Sequence, residues 1–167
     1  MVDDKEMYAL AVVNNVFGGS ISSRLFQKIR EEKGLAYSIY SSQTLYENCG
    51  ELGIFASTSQ EKIEEVYSMI MEEIKLIREN YISLQELNES KEQLKGSYML
   101  DLESTSSRMM SNGKNLLIRN KVESEEDIIN YINGVEFGDV VNIIDKVFKL
   151  DKIGVCIVGK DAENINL

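Results

Sequence analysis

Histidine is absent from this chain of 167 residues. No Ser-His-Asp triad, Cys-His pair or His-ligated zinc site can be assembled from it alone. Proline is absent too, so nothing rests on a cis-proline turn. Cysteine is scarce. Cys49 and Cys156 lie far apart, form no C-x-x-C motif, and read as free thiols of a reducing cytoplasm. Basic residues are outnumbered 18 to 28, for a net charge of -10. That balance argues against nucleic acid or an anionic membrane as the main partner, since both need a basic footprint. No charged-then-apolar leader opens the sequence, and no apolar run reaches the ~18 residues of a membrane span. The expected location is cytoplasmic.

What remains is ordinary globular material, 43% hydrophobic and 28% charged. A chain of this size fits one domain, over residues 1–167, that buries roughly 68–70% of its unfolded surface. Apolar spacing predicts a helix over about 5–17, with Asp3 or Asp4 as cap and Gly18-Gly19 as stop. A second helix is predicted over about 23–32, capped by Ser20 or Ser22 and ended by Gly34. Residues 35–46 alternate and are rich in Tyr, Ile, Ser and Thr, which predicts a strand. A turn at Glu47–Gly50 and a second strand over 51–59 complete an antiparallel hairpin. Further helices are predicted over about 60–80 (Ser59 as cap), from Ser83 to about 102, over 106–119, from Ser124 to Gly134, and over 137–148 with a cap near Glu136 or Gly138. Ser83 with Glu86 reads as a capping box. Residues 152–159 read as a closing strand. Early strands, a block of helices and a final strand make an α+β fold, an antiparallel-type sheet covered by helices. Three strands are few for so many helices, so a strand ahead of Asp3 is expected to be missing and the chain to be cut from a longer protein.

Chemistry-bearing residues are sparse. Arg30 falls in the last turn of the second helix and Tyr37 near the start of the strand, with Gly34 folding the chain between them. A guanidinium fork and a phenol at one rim suit a peptide carbonyl or a developing oxyanion. The same two residues also suit a helix-dipole complement and a packed strand. Gly18-Gly19 could cradle an anion, but no G-K-[ST] element follows, so a helix–helix corner is the simpler reading. The carboxylate pairs Glu64-Glu65 and Glu72-Glu73, and Glu125-Glu126-Asp127, read as solvated helix faces. No acidic loop with calcium-binding spacing occurs, and no metal site is expected.

The run Phe17-Gly18-Gly19-Ser20 through Arg24-Leu25-Phe26-Gln27, Arg30 and Lys33-Gly34-Leu35-Ala36-Tyr37-Ser38 closely resembles the C-terminal half of the pitrilysin–insulinase zinc peptidases, nearest the mitochondrial processing peptidase-like branch. The resemblance continues through Thr58-Ser59-Gln60-Glu61-Lys62, Glu89–Ser97, Leu102–Met109 and Val158-Gly159. It implies two homologous halves around a closed chamber. The N-terminal half carries H-x-x-E-H and a distal Glu, holds zinc, and supplies the general base. The C-terminal half holds no metal and contributes an Arg and a Tyr to the bound peptide, matched here by Arg30 and Tyr37. Gly18 and Gly19 sit where some relatives carry a longer glycine-rich loop near substrate. The resemblance thus implies a zinc-bearing N-terminal half as partner, zinc as cofactor of the full-length enzyme only, and an unfolded peptide as substrate. The chain alone is expected to be inactive, with Met1 an imposed start. A scaffold subunit that has kept the fold, and a free-standing peptide-binding module, are the alternatives. A missing strand would leave an open sheet edge, so homo-oligomers are expected.

Overall fold

The computed structural model describes residues 4–46, 49–160, 162 and 165, with residues 4, 118 and 119 described by backbone only. Helix α1 (Asp4–Asn14) opens it and runs directly into a π-helical turn, Asn15–Gly19. Ala9, Leu10, Val12, Val13, Val16 and Phe17 are all buried, so this element is the centre of the core. Phe17 is fully buried and meets Phe148 edge-on, centroids 4.9 Å apart. The expected Asp3 cap lies outside the described residues, as does the side chain of Asp4.

Glycine explains the abrupt turn that follows. A Cβ on Gly18 would stand 2.5 Å from Ser41 Oγ and 2.7 Å from the Ser41 amide nitrogen. A Cβ on Gly19 would stand 2.7 Å from Asn14 Nδ2. Ser20 does not cap the second helix. Its hydroxyl donates back to Asn15 O at 3.1 Å, closing the π-turn. The second helix is itself mostly π-helical, over Phe26–Glu32.

Strands β1 (Ser38–Leu45) and β2 (Gly50–Ser57) pair antiparallel, Ser38 opposite Ser57 and Leu45 opposite Gly50. Ile39 and Ser41 of β1 turn toward the core, while Tyr40 and Phe55 stack on the opposite face, half exposed, at 5.1 Å. Of the expected turn at Glu47–Gly50, Glu47 and Asn48 lie outside the described residues. Its ends are joined by Tyr46 N–H donating to Cys49 O at 2.8 Å. Among the described residues the sheet holds these two strands alone.

The expected closing strand over 152–159 does not form. A 3-10 turn, Leu150–Lys152, is followed by chain outside regular structure, with Ile153, Val155 and Val158 exposed. The alternation is present, but a strand needs a neighbour for its N–H and C=O groups. Neither β1 nor β2 pairs with this segment.

Helices α2 (Ile63–Asn80), α3 (Leu84–Asp101), α4 (Thr105–Arg119), α5 (Glu125–Asn133) and α6 (Phe137–Val147) make up the remainder. Ser59 occupies the position ahead of the 3-10 turn Gln60–Lys62 that leads into α2, but its side chain makes no capping bond. The Ser83 capping box is present: Ser83 Oγ accepts from Glu86 N–H at 3.1 Å, and the Glu86 carboxylate accepts from Ser83 N–H at 2.7 Å. Ser124 and Asp127 repeat it at α5. At α6 the Asp139 carboxylate accepts from Glu136 N–H at 2.8 Å. Helix α6 packs on α1, and α5 adds Tyr8–Tyr131 stacking at 5.3 Å. Glu73 departs from the expected solvated face. It is buried, one carboxylate oxygen accepts from Lys28 Nζ of the second helix, and the other has no hydrogen-bonding partner among the described residues.

Candidate functional site

The corner between the second helix and β1 is built from its backbone outward. The second helix ends with Gly34 at φ +59°, a left-handed conformation that costs other L-residues ~1 kcal/mol or more. Gly34 N–H donates to Arg30 O at 3.1 Å, and Leu35 N–H reaches Ile29 O at 3.0 Å. The first of these bonds is the left-handed helix cap expected of a terminal glycine. The second spans an extra residue, consistent with the wider π-turn that precedes it. Leu35 and Ala36 then plunge into the core. Tyr37 N–H donates to Ser57 O at 2.8 Å and starts the hairpin.

Arg30 and Tyr37 therefore stand at the two ends of one tight reversal. Arg30 is exposed, its guanidinium 4.8 Å from the Phe26 ring centroid one turn earlier. Tyr37 is 84% exposed. No hydrogen bond or cation–π contact joins the two, and neither side chain spends its donors on another described residue. A charged guanidinium fork and a neutral phenol, both exposed, are donors open to an oxygen-rich ligand brought from outside. Gly18 presses the first π-turn onto β1 at Ser41, where Ser41 Oγ donates to Asn14 Oδ1 at 2.7 Å, and Gly19 lies against Asn14.

Three neighbours of the corner carried no role in the sequence reading. Thr58 Oγ1 donates to Leu35 O at 2.5 Å, and Lys62 Nζ donates to Gly34 O at 3.1 Å. Arg24 grips Glu86 with Nε and a terminal nitrogen at 2.8 and 2.9 Å, and reaches Tyr81 O at 3.0 Å, which ties the second helix to the start of α3. Burial alone would raise the Glu86 carboxyl, but hydrogen bonds from Arg24 and Ser83 outweigh it and hold the group below its ordinary range. Nothing in residue type marks Thr58 or Lys62 as site residues, because their partners are main-chain carbonyls.

Zinc does not fit this chain's donors. There is no histidine, and among the described residues no three of Cys, Asp and Glu gather where a metal could sit. Among the described residues no helix is long and apolar enough to cross a membrane. Two surface clefts open between α3, α4 and the start of α5, edged by Leu102, Arg108 and Glu125, and neither is lined by Arg30 or Tyr37.

Residues 1–94 match the family described as the peptidase M16 inactive domain. The chain is 44% identical over 150 residues to the uncharacterized zinc protease YmxG of Bacillus subtilis, covering 90% of this chain and 37% of that one. It is 32% identical over 144 residues to an uncharacterized zinc protease of Rickettsia felis, covering 86% and 35%. The chain thus spans little more than a third of these relatives. In fold it superposes on the peptidase M16 inactive domain from Pseudomonas fluorescens with TM-score 0.75 at 22% identity, covering 88% of this chain and 35% of that one.

Proposed function

The chain belongs to the M16, pitrilysin-type peptidases as their C-terminal, inactive domain, and from that premise we propose that it is the peptide-holding half of a zinc endopeptidase. The carrying observation is the Gly34 corner. It offers the Arg30 fork and the Tyr37 phenol outward, both without hydrogen-bonding partners among the described residues. Arg30 would donate to a substrate carbonyl near the scissile bond. Tyr37 would donate its O–H to the oxygen that gains charge as the peptide carbonyl becomes tetrahedral. A donor aimed at developing charge acts more strongly in the transition state than on the ground-state carbonyl, which is what accelerates the step. The metal and the general base come from a zinc-bearing N-terminal half, since this chain's residues cannot form that centre. The substrate is an unfolded peptide, and the location is cytoplasmic. Among the described residues no third strand pairs with the β1–β2 hairpin, and unpaired strand edges favour self-association, which sedimentation velocity at rising concentration would register.

The test is cleavage of an unfolded peptide by this chain combined with its zinc-bearing half. Tyr37→Phe is expected to lower kcat by about 10²–10³-fold, the usual effect of removing one oxyanion donor. Unchanged turnover would remove the role. The chain by itself is expected to cleave nothing.

A further inference from the structure

We infer that Thr58, seconded by Lys62, is a positioning residue that fixes where Tyr37 stands; this rests on the proposal that Tyr37 touches substrate. The phenol is 84% exposed and has no hydrogen-bonding partner among the described residues, so no side-chain contact of that kind sets its place. Its position is inherited from the backbone of residues 34–37. That backbone is the part of the corner with the least regular support. Gly34 is left-handed, and the Gly34 and Leu35 carbonyls belong to no helix or strand ladder.

Both carbonyls are met from one side by the junction between β2 and α2. Thr58 Oγ1 donates to Leu35 O, Lys62 Nζ donates to Gly34 O, and Ser57 O accepts from Tyr37 N–H. Three polar groups within four residues of the corner are therefore tied to three groups within six residues of the junction. Thr58 is the stronger clamp. It is half-buried, its β-branched side chain has little rotamer freedom, and its acceptor belongs to a residue only 7% exposed. Removing the hydroxyl leaves the Leu35 carbonyl poorly solvated and unpartnered, which favours a shifted corner. Lys62 makes its bond in solvent and holds less tightly. A donor that must meet a developing charge tolerates little displacement, and an error of ~1 Å costs about 10²-fold in rate.

The experiment uses the chain combined with its zinc-bearing half and compares T58V, T58S, K62M and Y37F. T58V is expected to lower kcat about tenfold with KM nearly unchanged, a part of the ~1 Å penalty. T58S restores the hydroxyl and is expected to recover most of the rate. Amide hydrogen exchange should speed up at residues 35–37 in T58V, with α2 and α3 protected as before. In the Y37F background T58V should add nothing, because Thr58 acts through the phenol. Wild-type kcat in folded T58V, or losses that multiply in the double variant, would overturn the positioning role while leaving the substrate reading intact. If Y37F itself is silent, the substrate reading fails first. Should T58V not fold, K62M serves: a kcat loss of about twofold that vanishes in Y37F supports the clamp, and a loss that persists there overturns it.

Discussion

Replacing Gly18 by alanine separates a steric requirement from a conformational one. The added methyl carbon would lie 2.5 Å from Ser41 Oγ, 2.7 Å from Ser41 N and 2.9 Å from Ser41 Cβ. Rotating the serine can relieve the first of these. The second is main chain of β1, so the strand or the π-turn must move. Forcing a carbon into a filled site costs about 1–3 kcal/mol. Displacing Ser41 also weakens its bond to Asn14, about 1 kcal/mol more. Against this, alanine restricts the unfolded chain and returns about 0.5–1 kcal/mol. The balance is a loss of about 2 kcal/mol, or a Tm lowered by about 4–8 °C in a domain of this size. Thermal unfolding followed by far-UV circular dichroism measures it, with two other glycines as controls. Gly96 lies inside α3 with no atom within 4 Å of an added Cβ, so G96A should raise Tm by about 1–4 °C. Gly34 is equally unobstructed but left-handed, so G34A should lose about 1 kcal/mol through the backbone alone. A G18A chain melting with or above the wild type would refute the packing argument.

Ser83→Ala removes one arm of the α3 capping box and should cost about 1 kcal/mol by urea titration. Lys28→Met strands the buried Glu73 carboxylate. A loss of about 2 kcal/mol is expected, below the range for a fully buried pair because Lys28 is 42% exposed, and adding Glu73→Leu should recover most of it. Glu86 is held below its ordinary value of 4.5, so its contribution is complete above that pH and is lost as pH falls through the folded value. Urea midpoints of wild type and E86Q should therefore converge on acidification below pH 4.5 and stay apart at pH 7. Cys49 and Cys156 are free and exposed, so a thiol reagent should label both without denaturant, and slow labelling of either would place it under cover.

Local rules made much of the fold legible. Ser83 with Glu86 and Ser124 at α5 announce helix starts through side chains that bond their own backbone three residues on. Gly34 announces a reversal because few other residues tolerate its φ. The turn between Arg30 and Tyr37 was readable for that reason, while a shared role for the two side chains came only from the resemblance. What escaped depends on distant partners. Both π-turns are invisible in residue type, because they arise where Gly18 meets Ser41 and where Ile29 O waits for Leu35. Glu73 looked like any helical glutamate until Lys28 arrived from another helix. The 152–159 alternation is a statement about potential pairing, and pairing is settled by a neighbour. Thr58 and Lys62 bond to main-chain carbonyls that every residue carries, so their identities hold no trace of the clamp.

The π-turns have a consequence for how relatives should be aligned. A π-turn closes its hydrogen bonds five residues apart instead of four, so it carries one residue more than the α-turn it interrupts. Deleting one residue within Asn15–Gly19 or Phe26–Glu32 would let the helix close as an ordinary α-helix with the residues beyond keeping their facing, because the wider turn absorbs a residue that would otherwise rotate everything beyond by about 100°. Insertions and deletions of a single residue are therefore expected inside these two helices, and not only in loops. An alignment that forces every gap outside helices would shift Arg30 or Gly18 by one position in some relatives and mistake a change of winding for a lost residue.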